Sequence, residues 1–261
     1  MKIIAICNQK GGVGKTTTAI NLAACLAANE KKTLLIDMDS QCNATTGLGI
    51  EKNNLDVSVY DVLTERKYKG ARVSIKDIIV KTNQIEYLDI APSSVDLASA
   101  ELELVNVMAR EKRLRSAVNE IQQSYDYIII DSPPSLGLIT INVLTATGSV
   151  LIPIQCEYYA LEGLAELLNT IRLVQKNLNE NLVIEGVLLT MYDGRLNLSK
   201  QVAEDVHNCF SGKVFNSIIS RNVKLSEAPS FGKPIILYDI MSAGAEGYLK
   251  LAKEVMLNGS K

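Results

Sequence analysis

The 261-residue chain is short of the residue types on which several common chemistries depend. It has one histidine, His207, which argues against an imidazole-based triad or metal centre. Its five cysteines, Cys7, Cys25, Cys42, Cys156 and Cys209, form no C-x-x-C pair, which argues against zinc and iron–sulfur sites. Several lie in apolar runs and read as buried, reduced thiols of a cytosolic protein. No apolar run approaches the roughly 18 residues that span a bilayer. The opening stretch, residues 1–7, resembles a signal peptide, but its apolar part is too short and a glycine-rich motif follows at once. The expected location is the cytoplasm. No Pro/Gly/Ser-rich linker and no internal repeat divides the chain. Nor is there a surplus of positive charge: 27 Lys and Arg stand against 29 Asp and Glu, a net of −2. A globally basic surface is thereby excluded, a local basic patch is not. From Arg195 onward there are 9 basic and 6 acidic residues, whereas the residues before it hold 18 and 23.

What is present is ample material for a core, with 47% apolar and 21% charged residues. Short β-branched runs at 2–7, 33–37, 86–91, 127–131, 149–155, 182–190 and near 214–219 alternate with helical patterns. Those patterns cover 15–29, 94–104, 110–123, 136–146, 161–177, 198–209 and 243–257. Several strand candidates are continuously apolar, as in Tyr127-Ile128-Ile129-Ile130, which marks parallel strands covered on both faces. The expectation is an α/β fold, a doubly wound and mostly parallel β-sheet flanked by helices, in one domain over 1–261. Residues 52–83 are the least regular and read as surface loops and short helices.

The strongest local signal is Lys10-Gly11-Gly12-Val13-Gly14-Lys15-Thr16-Thr17, which follows a strand and opens a helix. Glycines let backbone amides turn toward an anion without Cβ clashes, and the new helix adds its positive end. Lys15 reaches the β- and γ-phosphates of a nucleotide, and the Thr16 hydroxyl can ligate Mg²⁺. Asp37 and Asp39 close a second strand and Asp131 closes a third, at the strand ends that face the ligand crevice of an open α/β sheet. Behind the glycine-rich loop, the apolar run ending at Asp131 fits a Walker B strand, with Asp131 in the metal shell through water.

The second lysine at the head of the loop, Lys10, makes the string K-G-G-x-G-K-T-T. This is the deviant Walker A signature, and the chain resembles the ParA/MinD family of P-loop ATPases, within it the small chromosomal-partitioning ParA proteins. The resemblance spans nearly the whole chain, including Gln155-Cys156-Glu157-Tyr158-Tyr159-Ala160-Leu161-Glu162-Gly163. It implies ATP and Mg²⁺ as ligands, with Lys10, Gly11, Gly12, Val13, Gly14, Lys15, Thr16 and Thr17 around the phosphates. It also implies that Lys10 crosses a nucleotide-sandwich homodimer to the partner's phosphates. Lys10, Lys15 and Asp39 are then the catalytic set, Asp39 orienting the attacking water, while Thr16, Asp37 and Asp131 lie at the metal. The segment from Ser220 to Pro234 resembles one that touches adenine and DNA, which implies a base contact for Asn222. Arg195, Arg221, Lys224 and Lys233 are the candidates for the phosphate backbone of double-stranded DNA. No base-reading motif is present, so binding should be non-specific and salt-dependent. The implied partner is a ParB-type protein that stimulates hydrolysis, and the implied place is the nucleoid.

The chain departs from the family pattern at Ser40 and Cys42, where the family has Pro and Gly, and at Ser220, where it often has Pro. Extra length lies at 65–81. The alternative is a membrane-cycling, MinD-like ATPase, which needs a membrane-binding helix. The only candidate is 243–257, with Ala245, Leu249, Ala252 and Met256 at helical spacing beside Lys250 and Lys253. Having few cations and no bulky aromatic other than Tyr248, it is expected to dock onto the sheet, with no stable membrane association.

Overall fold

The structure, a computed structural model, describes residues 1–158 and 163–258. Residues 159–162 of the Gln155–Gly163 motif, and with them the expected start of the helix at 161, lie outside it. The strands in chain order are β1 (Lys2–Ile6), β2 (Thr33–Asp37), β3 (Lys67–Tyr68), β4 (Ala71–Arg72), β5 (Val80–Lys81), β6 (Leu88–Ala91), β7 (Tyr127–Asp131), β8 (Ser149–Gln155) and β9 (Val183–Thr190). Seven form one sheet in the order β5-β6-β2-β7-β1-β8-β9, parallel throughout except for the edge pair β5–β6. β3 and β4 make a separate small hairpin.

The helices are α1 (Lys15–Ala28), α2 (Asn43–Gly47), α3 (Val59–Thr64), α4 (Ile75–Ile78), α5 (Leu97–Glu103), α6 (Arg113–Asn119), α7 (Leu138–Ala146), α8 (Leu164–Asn177), α9 (Asn197–Cys209), α10 (Val223–Glu227), α11 (Ile235–Tyr238) and α12 (Ala243–Asn258). They cover both faces of the sheet. Strand side chains alternate between the two sides, so Ile4, Ile6, Leu35 and Ile129 pack with α1 and α12. Ala5, Leu34, Ile36, Ile128 and Ile130 pack with α5 to α8. Every residue of β2 and β7 is buried, which is why those strands read as unbroken apolar runs. The expected doubly wound architecture is present. β1 sits inside the sheet with β7 and β2 on one side and β8 and β9 on the other, so the crevice opens beyond the C-terminal ends of β1, β7 and β2.

Three expectations need correction. The strand near 214–219 is an extended segment joined to β9 by isolated bridges at Val187–Val214 and Tyr192–Ser220. Its ladder breaks because the Ser217 amide turns to Glu254 Oε2 (3.3 Å). The helix expected at 110–123 is α6 between two 3₁₀ turns. In α12 the inward face is Ala245, Tyr248, Leu251, Ala252 and Val255, with Leu249 and Met256 only partly buried. The helix does dock, against α1, and the Tyr248 hydroxyl lies 3.1 Å from Thr18 Oγ1. Within 52–83, α3 and α4 each begin with a capping box, Ser58/Asp61 and Ser74/Asp77. They bury Val59, Val62, Leu63, Ile75 and Ile78 in the core. Four cysteines are buried and Cys209 is exposed.

Candidate nucleotide-binding site

The loop from Lys10 to Thr17 joins β1 to α1, and hydrogen bonds fix it at three points. The Asn8 carboxamide accepts from the Lys10 amide (3.0 Å) and donates to the Pro153 carbonyl (2.8 Å), tying the loop to β8. Thr190, at the end of β9, donates from Oγ1 to the Val13 carbonyl (2.9 Å). Lys15 Nζ donates to the Lys10 carbonyl (3.0 Å), so its side chain folds back under the loop. Gly12 (φ 77°) and Gly14 (φ 88°) occupy the left-handed region, which a β-carbon makes costly. Gly11 is exposed and free of that constraint, and a Cβ there meets no atom within 4 Å.

Beneath the loop the sheet register sets the acids side by side. Asp131 pairs with Ile6 on one side and with Asp37 on the other. Lys15 is buried, and burial pushes its ammonium pKa down against the opposing pull of Asp131, Cys7 and Asp39. Asp131 is fully buried, and its carboxyl pKa is driven well up by burial and by Asp37 and Asp39, while Thr16 and Lys15 pull it down. Neither Asp131 carboxylate oxygen has a hydrogen bond of good geometry among the described residues. Burial also raises Cys7, beside Lys15, to about 12.

Asp37 is placed differently from the metal-side position expected of it. Its carboxylate accepts from the Thr45 amide (2.8 Å), the Thr45 hydroxyl (2.7 Å) and the Asp39 amide (3.1 Å). Burial nevertheless raises it to about 6. The bonds make Asp37 the post to which the loop carrying Asp39 is tied. Thr45 carried no motif signal, although it proves central: its hydroxyl also accepts from the Ser93 amide (3.1 Å). Asp39 stands at the mouth of the crevice, accepting from the Gln41 amide (3.0 Å). Cys42, in the place of the family glycine, keeps the left-handed conformation at φ 58° with its side chain buried. The loop thus retains a glycine-like turn at the strain a side chain brings there.

Beyond Gly14 and Thr17 a cavity of about 220 Å³ runs under residues 219–226 and is floored by Tyr248 and Pro229. Asn222 lines it and caps α10, accepting from the Lys224 amide (2.8 Å), which leaves its amide N–H groups for a ligand. Nothing in the sequence marked Tyr248 for this pocket, because its place depends on how α12 docks.

Three of the four cations expected at DNA are held by acids. Arg195 makes a two-point contact with Asp193 (2.9 and 2.6 Å), Arg221 pairs with Glu157 (2.8 Å) and Lys224 with Glu227 (3.1 Å). The Arg195 guanidinium lowers Asp193 to about 2. Arg195 and Arg221 are neighbours, since the Tyr192–Ser220 bridge joins their segments. Lys233 lies apart, lining a cavity with Thr16, Thr17, Asn43 and Thr46.

A family model described as an AAA domain matches residues 1–184. The sporulation initiation inhibitor protein Soj of Bacillus subtilis is 61% identical over 258 residues, covering 99% of both chains. The chain belongs to the ParA/MinD family of P-loop ATPases. The chromosome partitioning protein ParA of Myxococcus xanthus is 55% identical over 98% of this chain and 88% of its own. Among solved structures, cobyrinic acid a,c-diamide synthase from Mycobacterium smegmatis, with bound ADP and magnesium, superposes with a TM-score of 0.86 at 33% identity. That match covers 100% of this chain and 96% of the other. The deviant lysine of the family loop is thus Lys10, and its sheet is the seven-stranded one described above.

Proposed function

We propose that the chain, as a single ParA-type domain, is a DNA-partitioning ATPase whose ATP-bound homodimer holds double-stranded DNA non-specifically and is stimulated by a ParB-type partner. The observation that carries the reading is the buried Asp131 carboxylate without a good hydrogen bond, set beside Thr16 and Lys15 under an anion-ready loop. A fully buried acid in that position calls for a cation or its water shell. Among the described residues no three His, Cys, Asp or Glu side chains are grouped to hold a metal. Mg²⁺ fits such a site, because it binds through one or two hard protein oxygens and takes the rest from phosphates and water. Thr16 would bind it directly and Asp131 through water, and the ion would supply charge neutralisation between the phosphates. Asp37, with its carboxylate given to Thr45 and Asp39, serves the metal region by holding the loop.

In this reading Gly11, Gly12, Val13, Gly14 and Thr17 direct amides and a hydroxyl at the phosphates. Lys15 neutralises the β- and γ-phosphates, and Lys10 of each protomer does so across the dimer. Asp39 orients the water in line with the γ-phosphate. Asn222 contacts the base. Arg195, Arg221, Lys224 and Lys233 exchange their acid partners for DNA phosphates, which places the ATP form on the nucleoid within the cytoplasm. The MinD-like alternative needs a free amphipathic helix, and α12 already spends its apolar face on α1 and the sheet. DNA binding measured with ATP, with ADP and without nucleotide, at two salt concentrations, tests the proposal. Binding only with ATP and weakening steeply with salt is expected; equal binding without nucleotide overturns it.

A further inference from the structure

Between β6 and the first turn of α7 lies a surface that the nucleotide site does not use. Helix α5 and the turn after it bury Leu97, Ala100 and Leu104, and leave Leu102, Val105 and Met108 at 79%, 52% and 91% exposure. Three large apolar side chains at intervals of three residues form a strip, where isolated ones would be unremarked. The surrounding charge is of one sign: residues 95–109 contain Asp96, Glu101 and Glu103 and no lysine or arginine. The next cation, Arg110, pairs with Glu111 (3.2 Å) and donates to the Val105 carbonyl. Glu103 is held outward by the Tyr60 hydroxyl (3.0 Å) and the Ser99 hydroxyl (2.8 Å).

One of these acids touches the active half of the molecule. Glu101 Oε1 accepts the Ile139 amide (3.3 Å) in the first turn of α7. It lies so close to Gly137 that a Cβ there would come within 2.2 Å of it. The N-terminus of α7 has no side-chain cap of its own, and only residues 132–137 separate it from Asp131. A cation that draws Glu101 away from α7 releases that turn, and with it the segment leading back to the proposed metal shell.

We infer that the α5 strip is the docking surface for the activating partner, and that the docking element is a short segment combining apolar side chains with Lys or Arg. The charge decides the occupant. A second copy of this chain meeting the strip across a two-fold axis would set acid against acid, whereas a basic segment pairs with all three. The inference rests on the partitioning-ATPase reading and adds to it where the partner acts. The test is ATP turnover of the full-length chain titrated with its ParB-type partner in the presence of DNA. Wild type is compared with Leu102→Ser/Met108→Ser and, separately, with Asp96→Lys. Both variants should need about tenfold or more partner for half-maximal stimulation, as expected when one or two anchoring side chains are removed. Basal turnover and ATP-dependent dimerisation should be unchanged, and the Asp96→Lys deficit should shrink with added salt. Stimulation like wild type overturns the inference and leaves the functional reading standing. A variant that no longer dimerises with ATP alone overturns it too, by making the strip an interface between copies. A wild-type chain that the partner does not stimulate overturns the functional reading and the inference together.

Discussion

Gly11→Val separates a loop that merely binds nucleotide from one that also meets its twin across a dimer. In the free chain Gly11 is exposed, lies outside the left-handed region and leaves its Cβ direction open to 4 Å. The substitution should therefore change monomer stability by no more than about 0.5 kcal/mol, as for other surface positions. Affinity for nucleotide should hold within a few-fold, since the amides and Lys15 keep their places. In a sandwich dimer the two loops approach each other, and each valine then intrudes on a packed interface at about 1–3 kcal/mol. Two-fold symmetry counts the intrusion twice, so dimerisation should weaken by about 2–6 kcal/mol, from about 30-fold to about 10⁴-fold. Gly12→Val is the contrast, because at φ 77° it strains the monomer itself by about 1–2 kcal/mol. Sedimentation velocity with ATP reports the dimer, and a fluorescent nucleotide titration reports the monomer site. If Gly11→Val dimerises like wild type, the loops do not face each other across the dimer and Lys10 cannot reach the partner's phosphates.

Four further outcomes follow from the same geometry. Lys15→Ala removes the buried cation beneath the loop and should abolish ATP-dependent dimerisation and DNA binding, measured by sedimentation and filter binding; retained nucleotide-dependent DNA binding would sink the assignment of the loop. Asp39→Ala should cut ATP turnover at least about 100-fold, within the range of removed general acid–base groups, while ATP binding and the dimer persist; turnover near wild type would show that another group positions the water. Arg195→Glu with Lys224→Glu leaves Asp193 and Glu227 beside new acids and should weaken binding to every DNA sequence alike. The salt slope should fall by about 0.9 for each phosphate no longer neutralised, and weakening confined to one sequence would instead mean base readout. Asp37 is raised to about 6 in the fold, above an ordinary unfolded value near 4. The folded chain therefore holds that proton more tightly, and the contribution is full below about pH 4 and lost as pH rises through about 6. Thermal melts of the nucleotide-free chain should show this decline relative to Asp37→Asn, and parallel curves for the two would refute it.

The sheet and the loop were legible because they depend on local pattern. A strand buried on both faces has to be apolar throughout, and a loop that cradles phosphates has to place glycine where φ is positive, as at Gly12 and Gly14. Asp131 was legible for a similar reason: an acid ending such a strand has few structural uses. Asp37 was not, because its role rests on Thr45 eight residues away turning its amide and hydroxyl toward it, and no spacing rule announces that. The inward face of α12 was misread by one position. Leu249 and Met256 fit a helical stripe as well as Tyr248, Leu251 and Val255 do, and only the docking against Thr18 and α1 selects between them. Cys42 shows the limit from the other side, since a side chain at φ 58° holds the turn that the family gives to glycine.

Charge is where structure and sequence differ most usefully. The C-terminal stretch has a surplus of three positive charges, yet Arg195, Arg221 and Lys224 each face a carboxylate within 3.1 Å. DNA must displace Asp193, Glu157 and Glu227 before those cations meet phosphate, so each exchange yields only the difference between two pairings at an exposed surface. A single protomer with so few discounted pairings binds weakly. In the proposed dimer the second set of cations engages at the high effective concentration set by the first, and the two free energies nearly add. The step from weak to firm binding then comes from joining two protomers, without any need for nucleotide to touch the DNA face. The acids that neutralise the monomer are in this view part of the switch. Removing them, as in Asp193→Asn with Glu227→Gln, should raise the affinity of the nucleotide-free chain for DNA and blunt its dependence on ATP. Filter binding with and without ATP measures both, and unchanged nucleotide-free binding would return these acids to the role of ordinary surface partners.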